Sequence, residues 1–160
     1  MPRIFVSAFA VPDSAIDGVG HVNNLEYIRW MQEAAIVHSA AQGWSRERYL
    51  ETGTAWVVRS HTIEYLRPAF AGDALSLLTW VAGFRPRSSP RKYLVWRAGD
   101  QRVLAEAETL WVFVDRKSGR ARSIPEELRA AFEVVPDGDE VLKAVRRGGP
   151  GSLLALQRAG

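Results

Sequence analysis

The sequence predicts an α+β fold: one antiparallel sheet of about five strands packed around a single long helix. Three observations carry this. A polar, glycine-rich stretch from Asp17 to Asn24 runs into an apolar segment long enough for about five helical turns. Segments rich in β-branched and aromatic residues lie before and after that helix. The connections between the later strands are short and carry Gly, Pro and Asp, which suits hairpins rather than parallel crossovers.

The first strand is expected over Ile4–Val11, with Pro12, Asp13 and Ser14 as its exit turn. Ala8-Phe9-Ala10 looks like a signal-peptidase site, but the segment ahead of it is shorter than a signal peptide. The helix start carries three agreeing signals. Asn23 can cap with its side-chain oxygen, Glu26 three residues later completes a capping box, and Val22 with Tyr27 makes a hydrophobic staple. The cap can satisfy the amide of Leu25 or Glu26, which leaves the Asn24 amide as an unused donor at the positive end of the helix dipole. Leu25, Tyr27, Ile28, Trp30, Met31, Ala34, Ala35, Ile36 and Val37 go nearly all the way round, with a narrow charged stripe of Glu26, Arg29 and Glu33. Such a helix is expected to be buried on most sides. Gly43 stops it.

WSRERYLETG follows, polar and irregular with room for one helical turn. Strands are then expected over Thr54–Tyr65, Ala74–Phe84, Arg91–Ala98 and Arg102–Asp115. Gly99-Asp100 reads as a tight hairpin. Ser123, Pro125 and Glu126 open a short helix reaching about Phe132. From Glu133 the composition shifts, so residues 1–132 are expected to form the domain and 133–160 a C-terminal extension, either a short helix or a partner-binding tail.

The chain has 160 residues, 47% hydrophobic and 24% charged, which is enough for one globular domain. Its net charge of +3 is compatible with an anionic ligand and too weak to argue for nucleic acid. There is no Cys, which removes disulfides, thiolate metal sites and a Cys nucleophile, and fits a cytoplasmic protein. No segment has the length and apolarity of a membrane-spanning helix. Hydrolase elbow, phosphate-loop and dinucleotide motifs are missing. The three His, His21, His38 and His61, have no metal-ligand spacing, and His38 and His61 are expected to be structural.

Asp17 and His21 therefore hold the interest, because both lie on the loop ending at the unused amide. A carboxylate there could attack a carbonyl or activate water, and the Asn24 amide could hold the developing oxyanion. Asp17-Gly18 is equally an Asx-turn signal, and His21 equally a loop side chain bonded to backbone. Arg85, Arg87, Arg91 and Lys92 form the densest basic cluster, either a solvated hairpin tip or a clamp for phosphates. The six Trp are expected mostly in the core, with one or two as candidates to line a pocket.

The pattern D-x-x-G-H-V-N-N-x-x-Y, here Asp17, Gly20, His21, Val22, Asn23, Asn24 and Tyr27, resembles the signature of hot-dog-fold acyl thioesterases, of the 4-hydroxybenzoyl-CoA and acyl-ACP types. The resemblance continues through Ile63–Asp73 and Leu104–Pro125 and covers roughly Phe5–Phe132. It implies a sheet wrapped around the long helix, a homodimer often paired into a homotetramer, and hydrolysis of an acyl-CoA or acyl carrier protein thioester without a metal or separate cofactor. By position it implies Asp17 as nucleophile or general base and the Asn24 amide as the group polarising the carbonyl. It implies that His21 and Asn23 belong to the catalytic loop and shape it, and that Gly20 and Tyr27 lie by the substrate. The basic cluster would then meet the phosphates of coenzyme A. Many relatives carry a further Asp and an Arg upstream, where this chain has Ala15 and Pro12. A hot-dog hydratase and a non-catalytic acyl-CoA binder are the competing readings.

Overall fold

The computed structural model describes residues 3–158. Strand β1 (Phe5–Ala10) leads through a single 3-10 turn and the Asp17 loop into helix α1 (Asn24–Ala41) and then α2 (Arg46–Thr52). Four strands follow, β2 (Thr54–Tyr65), β3 (Ala74–Val81), β4 (Ser88–Arg97) and β5 (Arg102–Asp115). Helices α3 (Glu126–Ala130), α4 (Gly138–Gly148) and α5 (Leu154–Arg158) close the described chain. The strands make one sheet in the order β1-β3-β4-β5-β2, and every neighbouring pair is antiparallel. This is the hot-dog arrangement, with α1 lying across one face.

Strand alternation decides which side chains meet the helix. Leu75 and Leu77 on β3, Tyr93 and Val95 on β4, and Leu104 on β5 pack with Tyr27, Met31 and Ala34 of α1. Beyond the last turn of α1, Trp44, Tyr49, Phe113, Ile124 and Leu128 form a second core at that end of the sheet. Ser45 caps α2, accepting from the Arg48 amide, and Gly53 ends it at φ 68°, where a side chain would be strained.

Two expectations about α1 change. The helix is not covered all round in the single chain: Leu25, Ile36 and Val37 are 70%, 61% and 52% exposed. One sheet can cover only one side of a helix, so these side chains, interspersed with the exposed Arg29 and Glu33, stay open to solvent within the chain. The capping box is also only half formed. Asn23 Oδ1 accepts from the Leu25 amide at 3.0 Å, but the Asn23 amide donates to the Ala15 carbonyl at 2.9 Å. Glu26 instead lies 3.7 Å from Arg29.

Residues 133–158 lie on the other face of the sheet. Val135, Val141, Val145 and Leu153 pack against Ile4, Leu78, Trp80 and Leu94. Asp137 caps α4 by accepting from the Asp139 and Glu140 amides. β3 is consequently buried on both faces, with Leu75 and Leu77 toward α1 and Leu78 and Trp80 toward α4.

Leu153→Ala tests whether this layer belongs to the core. Truncating a fully packed Leu should lower unfolding stability by roughly 2–5 kcal/mol. A urea melt unchanged from the parent protein would make the extension an adherent tail.

Candidate active site

The Asp17 loop is a small closed turn. The Asp17 amide donates to the His21 carbonyl at 2.9 Å, the Gly20 amide to the Asp17 carbonyl at 3.2 Å, and Ile16 bridges Val22. Gly20 sits at φ 95°, a backbone conformation that favours glycine even though the space beside its Cα is open. Two further main-chain bonds fix the loop to the body: the Val22 amide to Ala69 and the Asn23 amide to Ala15, both 2.9 Å. Tyr65 Oη donates to the Asn24 carbonyl at 3.0 Å, tying the end of β2 to the start of α1.

Asp17 divides its two oxygens. Oδ1 accepts from the Val19 amide at 2.8 Å, the expected Asx turn. Oδ2 lies 3.6 Å from His21 Nδ1, which itself points at the Val22 carbonyl at 3.4 Å. Oδ2 therefore has no hydrogen-bond donor among the described residues, and the carboxylate is partly open to solvent. The turn and the chemistry are thus compatible, because they use different oxygens. Asn23 works as the cap, and the Asn24 amide, first in the helix, has no acceptor among the described residues. A preorganised donor at the positive end of α1 is what a developing oxyanion requires.

Tyr27 lies in the core, 2% exposed, edge-on to both Trp30 and Tyr65. Its ring supports the loop's floor rather than presenting a surface to a ligand. The basic cluster is not brought together. Arg85 and Arg87 are exposed on the β3–β4 connection. Arg91 is 6% exposed and faces α1, while Lys92 faces the opposite way, beside Gly138 and Trp80 at the start of α4. The reason is that Arg91 and Lys92 are adjacent on β4 and so alternate to opposite faces, while Arg85 and Arg87 precede the strand.

A cavity of about 330 Å³ opens under the C-terminal half of α1, at the Thr54 end of β2. Its walls include Trp44, Trp56, Trp111, Phe84 and Phe132, with Arg91 among them. Tyr49 Oη accepts from Trp56 Nε1 and pairs with Ser39 Oγ, both at 3.0 Å, and burial raises its pKa above the ordinary phenol value. Three tryptophans, Trp44, Trp56 and Trp111, line this cavity, where one or two are expected from the sequence. Arg91 was legible as a wall residue from its period-two spacing with Tyr93 and Val95. Among the described residues no group of three His, Cys, Asp or Glu is placed to hold a metal, and no helix is long and apolar enough to cross a membrane.

Comparison with known proteins agrees with this fold. The family model described as "Thioesterase-like superfamily" matches residues 11–132. The long-chain acyl-CoA thioesterase FadM of Escherichia coli is 26% identical over 121 residues, covering 74% of this chain and 89% of that one. The chloroplastic palmitoyl-acyl carrier protein thioesterase of Cuphea hookeriana is 28% identical over 109 residues, covering 64% of this chain but 26% of its own length. Among solved structures, 4-hydroxybenzoyl-CoA thioesterase in complex with 4-hydroxybenzoyl CoA superposes with a TM-score of 0.74 at 20% identity, covering 82% of this chain and 99% of that one.

Asn23→Ala removes the cap and should lower stability by about 1 kcal/mol, with Asn23→Asp close to the parent. Chemical denaturation of the two variants side by side checks this, and equal losses would deny the capping role.

Proposed function

Given that the chain belongs to the thioesterase-like superfamily, we propose that it hydrolyses an acyl-CoA thioester, with water giving the free acid and the thiol of coenzyme A. The observation that carries the reading is the pairing, at the two ends of one tied loop, of an unbonded carboxylate oxygen on Asp17 with an unbonded amide on Asn24. Asp17 Oδ2 attacks the thioester carbonyl or takes the proton of an attacking water, and the Asn24 amide receives the oxyanion. Collapse of the tetrahedral adduct breaks the carbon–sulfur bond and releases the thiolate, which takes up a proton. With water as nucleophile this gives the acid directly; with Asp17 as nucleophile a second attack, by water on the acyl–Asp17 anhydride, frees the acid and restores the carboxylate. His21 shapes the loop and Gly20 permits its turn. Arg85 and Arg87 remain as surface candidates for the coenzyme A phosphates. Coenzyme A enters as part of the substrate, and no separate cofactor is called for. Similarity to plant carrier-protein thioesterases makes an acyl carrier protein the alternative donor.

In this reading the working unit is a homodimer. β2 is an edge strand, and Val57 on it is 46% exposed. An open edge of that length invites pairing. Within one chain, the Asp17 loop sits at the Tyr65 end of β2 and the start of α1, and the aromatic cavity sits at the Thr54 end of β2, under the other half of α1. Antiparallel two-fold pairing of β2 edges brings the loop of one protomer to the Thr54 end of its partner, giving two equivalent shared sites.

A thiol-release assay over a panel of acyl-CoAs and acyl carrier proteins tests the activity and separates the donors. Asp17→Asn keeps an acceptor for the Val19 amide but loses the charge, so turnover should fall at least ~10²-fold with little change in substrate affinity. Near-normal turnover would leave Asp17 as a turn residue only. Light scattering across a dilution series should show a dimer at least, and a fully active monomer would overturn the shared site.

A further inference from the structure

Arg91 is a cation in the wrong company. Its Nη1 donates to His38 Nδ1 at 2.9 Å and to Thr79 Oγ1 at 3.1 Å. Both acceptors are uncharged: a guanidinium only donates, so His38 Nδ1 must present a lone pair. Nε and Nη2 have no acceptor among the described residues, and no carboxylate there forms an ion pair with Arg91. Phe132 lies against the guanidinium at 5.9 Å. Burial pulls its pKa below the ordinary guanidinium value, with Tyr93 and Tyr49 opposing the shift only in part.

The surroundings repeat the same bias. The cavity that Arg91 lines also carries Arg46 and Arg116 on its walls, and no Asp or Glu. Trp44 Nε1, on the same walls, is a buried donor with no acceptor among the described residues. The space is thus rich in donors, poor in acceptors and aromatic elsewhere.

We propose that this cavity takes an acyl group whose far end is a carboxylate, received by the unused Nε and Nη2 side of Arg91, with the body of the chain between the tryptophans. The inference rests on the thioesterase reading for the identity of the substrate, but not for the anion site itself. A planar guanidinium edge and a carboxylate match as a two-bond pair, and a low-dielectric cavity strengthens it. The product would be a dicarboxylic acid, since hydrolysis frees the second carboxyl.

Two measurements separate the inference from the reading beneath it. First, tryptophan fluorescence follows binding of 3-phenylpropanoate and of its neutral amide to the unmodified protein. The carboxylate should bind at least ~10-fold more tightly, as expected when a buried cation is left unpaired by the wrong ligand. Arg91→Met should abolish that difference, and a circular-dichroism melt checks that the variant folds. Equal binding of acid and amide by the unmodified protein overturns the anion site regardless of the variant. Second, kcat/KM is compared for ω-carboxyacyl-CoAs and straight-chain acyl-CoAs of equal length. A preference for the carboxylated series that Arg91→Met reduces supports the proposal. Hydrolysis with no such preference overturns it and leaves the thioesterase reading intact. Tight carboxylate binding without hydrolysis of any thioester supports the anion site and removes the thioesterase.

Discussion

Met31 is fully buried at the middle of α1, packed in one core with Leu77, Tyr93, Val95 and Leu104 from three adjacent strands. That contact between one apolar helix and one curled sheet is the constraint the rest of the chain obeys. It requires β3, β4 and β5 to turn alternate residues toward the helix, and so fixes which side chains lie on the opposite face. There Leu78, Trp80 and Leu94 would be open to water if Val141, Val145 and Leu153 did not cover them. It also limits the coverage of α1, since the side turned from the sheet keeps Leu25, Ile36 and Val37 exposed. The same packing thus accounts for an α4 layer on one face and for exposed apolar side chains on α1 on the other.

At the start of α1 the backbone carries the structural load of the loop. Main-chain bonds to Ala15 and Ala69 hold the loop, so neither Asp17 Oδ2 nor the Asn24 amide is consumed in holding it. Placing rigidity in the backbone leaves the side-chain oxygen and the terminal amide available. That is the condition for electrostatic stabilisation without reorganisation at the moment of reaction.

At the far end of α1 the electrostatics run differently. Arg91 replaces its hydration with only two neutral acceptors, and its charge faces an aromatic cavity. A side chain that looked like part of a surface cluster is one strand position too deep to reach solvent phosphates, and Lys92 beside it is on the wrong face. The cluster existed in sequence but not in space, because adjacent residues of a strand point apart.

The sequence by itself determined what depends on neighbouring residues. The Asn23 cap, the extents of β2 and β5, the Asx turn at Asp17 and the unused Asn24 amide are all local, set by hydrogen bonds within a few residues and by period-two alternation. Tertiary structure decided what depends on distant partners. The Asn23 amide went to Ala15 instead of Glu26, because the incoming chain offered a carbonyl at 2.9 Å. Residues 133–158 became a layer because the outer face of β3 and β4 left apolar area to cover. Which face Arg91 takes follows from alternation, but that face became a cavity wall because residues of α1, α2 and β2 come together over it. Burial is a property of the surfaces that meet, and no local pattern records which surface a given face will find.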